Sequence, residues 1–264
     1  MTATTLTTAD GVRLAARWWR AGDGPAAEAE AVVLVHGFCG RQDAPELVAL
    51  ARRLAAGGRS VLTFDLRGHG RSEGETTLGL DEHLDVGAAV AAARADHDVV
   101  VVVGASMGGV AAIGHLTAPA GASAARPADG AVVVSSPAHW RVPRSARGVL
   151  AMALTRTPPG RLVAARRMGT RVAVLRRRGD PPVERAARLD RPLAVVHGLA
   201  DRFVSPLDAR ELHAAAPPPR LLELVPGMGH GFCAAAVEPV ERAVAWVAAA
   251  ADGVAGRGLE WGGA

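Results

Sequence analysis

Three side chain types in this sequence can together cleave an acyl bond. Gly104-Ala105-Ser106-Met107-Gly108 is a Gly-x-Ser-x-Gly run placed directly after five consecutive valines and directly before a helical stretch. That strand–turn–helix context is what a nucleophilic serine needs. The turn is sharp, and its flanking residues must be small so that neighbouring backbone can approach. A serine hydroxyl is a weak nucleophile at neutral pH, so it needs a base, and the base needs a third group to hold its tautomer. His230, in Pro-Gly-Met-Gly-His-Gly-Phe, and Asp201, in His-Gly-Leu-Ala-Asp-Arg-Phe-Val, supply those types. Taken singly, each has an ordinary reading: an incidental Ser in a Gly-rich turn, a surface-loop His, a helix-capping Asp. Each follows its own predicted strand, and the order Ser, Asp, His suits one particular fold. We therefore expect Ser106 as nucleophile, His230 as base and Asp201 as its orienting acid. The backbone N–H groups of Phe38 and Met107 are expected to form the oxyanion hole. His36 and His69 are expected to be structural.

The elements that must position these residues are legible in the apolar pattern. Leu6–Thr8 and Val12–Trp19 flank Asp10-Gly11 and read as a hairpin with a tight turn of positive φ at both central residues. Short valine-rich runs at 31–35, 61–64, 99–103, 131–134, 191–196 and 221–225 read as buried strands. Helical spacing appears over 45–56, 81–94, 106–116 and 237–250. Strands alternating with helices imply an α/β domain with a mainly parallel sheet, an N-terminal hairpin and helices on both faces. Such sheets place their chemistry at the carboxyl ends of the strands.

His36-Gly-Phe, Asp65-Leu-Arg-Gly-His-Gly-Arg-Ser72, Gly-Ala-Ser-Met-Gly-Gly, His-Gly-Leu-Ala-Asp and Gly-His230 together resemble the α/β-hydrolase superfamily, nearest to its lipase/esterase and monoacylglycerol-lipase-like members. The resemblance covers about residues 6 to 250. It implies the α/β-hydrolase fold and a carboxylic ester hydrolase acting on a lipid-like or small acyl ester through an acyl-enzyme. None of the motifs fixes the substrate. Ala105 departs from the pattern, since relatives often carry His there. The same triad serves thioesterases, amidases and proline-type peptidases, and a low-turnover ligand-binding homologue is the alternative of a different class.

One α/β-hydrolase domain is expected over 1–252, with a cap inserted over the active site at about 138–190 and a disordered tail at 253–264. From Ala138 to Asp190 the chain has thirteen Arg against three acids, while the net charge of the whole is only +4. The remainder is therefore net acidic. A basic, apolar cap suits transient contact with an anionic membrane surface, and equally a solvated face whose Arg stems cover apolar area. Trp140, Met152, Phe203, Met228 and Phe232 are candidates for the substrate pocket. Aromatics make up 3% of the chain and are not interleaved with the arginines, so a nucleic-acid platform is not expected. The histidines do not pair at metal-ligand spacing, and neither a dinucleotide nor a Walker phosphate loop is present, so no metal or other cofactor is expected. No signal-peptide pattern or long apolar run is seen, and Cys39 and Cys233 are expected to be free thiols. A cytoplasmic enzyme is the expectation; the oligomeric state is left open.

Overall fold

The computed structural model describes residues 1–20, 30–119, 126–140, 153, 155–174 and 179–253. Eight strands form one sheet: β1 (Thr2–Thr7), β2 (Arg13–Trp19), β3 (Glu30–Val35), β4 (Ser60–Phe64), β5 (Val99–Ala105), β6 (Gly130–Val134), β7 (Leu193–Gly198) and β8 (Arg220–Val225). Their spatial order is β1-β2-β4-β3-β5-β6-β7-β8. β2 runs antiparallel to β1 and β4, and every pair from β4 to β8 is parallel. The chain goes outward from β3 to β4 and then returns past β3 to β5, which leaves a crevice at the carboxyl ends of β3 and β5.

The valine runs form strands because both sheet faces are covered. Val32, Val101, Val132 and Val196 pack into one core cluster with helices α1 (Pro45–Ala56) and α7 (Val237–Ala251). Val33, Val102, Val133 and Val195 pack into the other, with α2 (Glu82–Arg94), α3 (Met107–Leu116) and α6 (Pro206–Ala215). Alternate residues of these central strands thus serve opposite layers. This is the α/β-hydrolase fold. The cap contributes α4 (Pro158–Met168) and the short α5 (Pro182–Ala186). Residues 141–152, 154 and 175–178 of the cap, and the tail from 254, lie outside the described residues.

Two local readings change. The hairpin turn is longer than expected. Thr7 pairs with Arg13, Gly11 has φ +85°, and Asp10 is not in the positive-φ region. The backbone turns through Gly11 N–H to Thr8 O at 2.9 Å and Thr8 N–H to Val12 O at 3.0 Å, and side chains reinforce it. The Thr8 hydroxyl donates to Asp10 and accepts from Val12 N–H, while Arg67 draws the Asp10 carboxylate across the connection. Helix α6 is absent from the sequence reading, although its start carries a recognisable signal: Ser205 Oγ accepts the Leu207 N–H and Pro206 occupies the first turn.

Candidate active site

Ser106 stands between β5 and α3 with φ 53° and ψ −116°, a backbone conformation that costs on the order of 1–3 kcal/mol for a non-glycine residue. The surroundings hold it there. Its N–H donates to Val134 O at 2.8 Å, and its carbonyl accepts from Gly109 N–H at 3.0 Å and from Ser136 Oγ at 3.1 Å. The flanking glycines are sterically required. A Cβ on Gly104 would lie 2.3 Å from Gly108 O, one on Gly108 would lie 2.4 Å from Val35 O, and one on Gly109 would lie 1.8 Å from Ser136 Oγ.

Asp201 and His230 are joined. Asp201 Oδ2 lies 2.7 Å from His230 Nδ1. A carboxylate only accepts, so Nδ1 carries the proton and Nε2 presents its lone pair. Asp201 Oδ1 accepts from Phe203 N–H at 2.7 Å and Val204 N–H at 3.0 Å. Burial works to raise the Asp201 carboxyl; the His230 imidazole and the two N–H groups outweigh it and hold it below the usual carboxylate range. The loops bearing these two residues meet because Gly198 has no side chain: a Cβ there would lie 2.1 Å from Met228 O. Met228 O also accepts the Ala200 N–H at 3.0 Å.

Ser106 and His230 line one cavity of about 410 Å³, together with Phe38, Phe203, Phe232 and Leu47. Among the described residues no hydrogen bond joins Ser106 Oγ to His230, as is common before substrate tightens such a pair. At the opposite wall, Gly37 lets the loop after β3 reach the nucleophile, since a Cβ there would be 3.2 Å from Ser106 Cβ. Phe38 N–H has no acceptor among the described residues. Met107 begins α3, and the first N–H groups of a helix lack an intrahelical partner.

Two buried histidines brace that loop. His36 Nε2 accepts the Leu66 N–H at 3.0 Å, and its Nδ1–H donates to Gly37 O at 2.8 Å. His69 Nε2 accepts the Cys39 N–H at 3.2 Å, and its Nδ1–H donates to Arg67 O at 3.0 Å. Burial pushes His36 down to about 3 and pushes His69 down as well, so both rings are neutral and both tautomers are fixed by backbone. Asp65 completes the support, accepting from Gln42 N–H at 2.8 Å and Arg71 N–H at 3.1 Å.

The pocket candidates separate. Phe203 and Phe232 line the cavity. Met228 does not: its side chain is 0% exposed and belongs to the core cluster beneath the sheet. Trp140 is 40% exposed and also lies off the cavity, its Nε1–H donating to Gly179 O at 3.1 Å. Met152 is outside the described residues. The side chain of Met107 packs inward, 3.6 Å from Thr76 Oγ1, so only its backbone is available to the site.

Sequence reasoning missed His197. Its Nε2 lies 3.2 Å from Val204 O and 3.6 Å from Asp201 Oδ2, so it fastens the loop that holds the acid. The signal was present as a His four residues before the Asp. No cluster of metal-binding side chains occurs among the described residues, and no helix among them is long and apolar enough to cross a membrane.

Residues 26–171 match the family described as serine aminopeptidase, S33. None of the curated proteins compared matches the chain by sequence. Among solved structures, an esterase of Pyrococcus furiosus superposes with a TM-score of 0.68 at 21% identity, covering 92% of this chain and 89% of that one. An esterase of a Rhodococcus species gives 0.68 at 21%, covering 94% and 100%. Est1E of Butyrivibrio proteoclasticus, solved with ferulic acid bound, gives 0.64 at 18%, covering 92% and 96%.

Proposed function

The chain belongs to the serine aminopeptidase family of α/β-hydrolases, and from that premise we propose that it hydrolyses carboxylic esters through an acyl-enzyme on Ser106. The observation that carries this reading is the 2.7 Å Asp201–His230 pair on the rim of the same cavity as a serine held in a strained strand–helix turn. His230 Nε2 takes the hydroxyl proton as Ser106 Oγ attacks the carbonyl carbon. The tetrahedral oxyanion rests on the N–H groups of Phe38 and Met107, each such donor being worth on the order of 3 kcal/mol of barrier. His230 then protonates the leaving alcohol and activates the water that frees the acid. The imidazolium formed on the way is stabilised by an acid that stays ionised, which suits the lowered Asp201 carboxyl. Ser106→Ala is expected to abolish ester turnover and fluorophosphonate labelling together. Labelling retained in that variant sinks the assignment.

The family description favours a second reading, aminoacyl amide hydrolysis by the same groups. Rates on aminoacyl p-nitroanilides beside p-nitrophenyl esters separate the two, the ester being expected to turn over faster.

Two further parts of the reading concern surroundings. The outward face of α4 interleaves exposed Leu162 and Val163 with Arg166 and Arg167, a composition that supports docking on an anionic lipid surface. Sedimentation with phosphatidylserine vesicles tests it, and binding indifferent to salt counts against it. Cys39 and Cys233 are both free, which supports a reducing, cytoplasmic setting. Two thiols titrating under native conditions are expected.

A further inference from the structure

The chain contains four Phe and no Tyr. One of the four, Phe64, is fully buried in the core. The other three, Phe38, Phe203 and Phe232, all line the cavity that contains Ser106. Elsewhere this protein fills its interior mostly with Val, Leu and Ala, the buried rings there being Phe64 and the indoles of Trp18 and Trp19 near the hairpin, so three of the four phenyl rings are gathered at the cavity.

The three rings are held differently. Phe38 is partly buried against the core cluster on one face of the sheet, and Phe232 against the cluster on the other. They form two anchored walls on either side of the strand ends. Phe203 is 51% exposed, yet its backbone is fixed, since its N–H is bound by Asp201 Oδ1 at 2.7 Å. Its ring lies 5.0 Å from the His230 ring, tilted by 39°. A half-exposed apolar ring on an immobilised backbone beside the base offers a preorganised contact surface. The charged side chains lining the cavity are the exposed Arg41, ion-paired to Asp43, and the exposed Glu46.

We infer that the preferred substrate carries an aromatic ring next to the scissile ester, packed between Phe203 and the anchored rings of Phe38 and Phe232. This rests on the proposed ester hydrolysis at Ser106. An aliphatic group of the same area gains burial alone. An aryl group gains in addition the edge-to-face and offset contacts that follow from ring quadrupoles.

The test uses pairs close in size, each rate divided by that ester's own hydroxide-catalysed rate: methyl 3-phenylpropanoate against methyl 3-cyclohexylpropanoate for the acyl side, and benzyl acetate against cyclohexylmethyl acetate for the alcohol side. Initial rates on the purified full chain are expected to favour the phenyl member on at least one side by about 3- to 10-fold in kcat/KM. Phe203→Leu, a change at an exposed position, is expected to bring that ratio close to one. As a readout independent of turnover, 2-phenylethylboronic acid is expected to slow fluorophosphonate labelling of Ser106 at lower concentration than its cyclohexyl counterpart. Equal rates and equal protection for phenyl and cyclohexyl members, with Ser106 still labelled, overturn the inference and leave the hydrolase reading standing. A phenyl preference undiminished in Phe203→Leu overturns the role given to Phe203. Absence of both labelling and cleavage overturns the hydrolase reading and this inference with it.

Discussion

The catalytic rim and the cap are built on opposite terms. At the rim, backbone groups of the loops after β3, β4, β5 and β7 are tied by named partners, and glycines stand wherever a side chain would collide. In the cap, helix α4 buries one residue, Ala164, and leaves Leu162, Val163 and Met168 in solvent. The rim fixes atoms to fractions of an ångström because chemistry needs them there. Helix α4 faces outward with charge and apolar surface, so substitutions at its exposed positions are expected to leave the core undisturbed. The contrast is between a region in which backbone is tied on every side and a helix that is tied on one.

Substitutions can break this contrast or sharpen it. The largest effect is expected for Asp201→Asn. The fold is kept, but the amide can present an N–H to His230 and favour the wrong tautomer, and kcat is expected to fall on the order of 10⁴-fold, read by steady-state kinetics against an unchanged unfolding midpoint. Next comes Gly108→Ala. Its Cβ would meet Val35 O at 2.4 Å, and urea unfolding is expected to show a loss above about 3 kcal/mol, or no folded protein at all. His69→Phe removes the acceptor of the Cys39 N–H. Leaving that group unpaired costs about 1–3 kcal/mol, so kcat is expected to drop about 10-fold or more with KM little changed. At the small end, Val163→Ala on the cap is expected to stay within about 0.5 kcal/mol by the same urea measurement. A cap change as costly as Gly108→Ala would erase the distinction.

Acid should weaken the fold through its buried histidines. His36 is held at about 3 and His115 at about 4, both by burial, against 6.5 for the free side chain. The unfolded chain therefore takes up these protons first as the pH falls. Stability is full above about pH 6.5 and declines below it, by about 1.4 kcal/mol per pH unit for each ring, until the folded values are reached. Urea midpoints measured from pH 7 to pH 4 should fall steadily. In His115→Leu the slope is expected to become shallower, since burial also lowers His36, His69 and His197, which keep their share, and an unchanged slope would remove His115 from the account.

Strands β3, β5, β6 and β7 were legible from short valine-bearing runs that the sheet buries on both faces, whereas β8, read as buried, lies at the sheet edge and is half-buried; the boundaries of α1 came out as expected because Pro45 opens it and Gly57-Gly58 closes it. Ser106, Asp201 and His230 were legible because strand ends announce them. Met228 was misplaced for a physical reason: proximity in sequence to His230 says nothing about which way a side chain points, and its neighbours on the core side claimed it. Trp140 failed the same way. His197 went unread because its spacing of four residues before Asp201 shows that the two are near, while its bond to the Val204 carbonyl is not displayed by any residue pattern. The cap defeats sequence reading for a related reason, since α4 buries so little that its apolar spacing carries almost no periodic signal.

The cap is nevertheless not a loose lid. Thr170 and Val172 form backbone bridges with His69 and Thr76, and Arg171 N–H donates to Gly68 O at 2.7 Å. Gly68, with φ +74°, is the seam of this stitch: a Cβ there would sit 2.4 Å from Thr76 N and 2.5 Å from Arg171 O. The residue whose main chain is clasped by Thr170 is the one whose ring steadies Cys39, next to the amide of Phe38. Two contacts thus join the outermost layer of the protein to the backbone that carries Phe38: the bridge from Thr170 to His69, and the bond from the Cys39 N–H to the His69 ring.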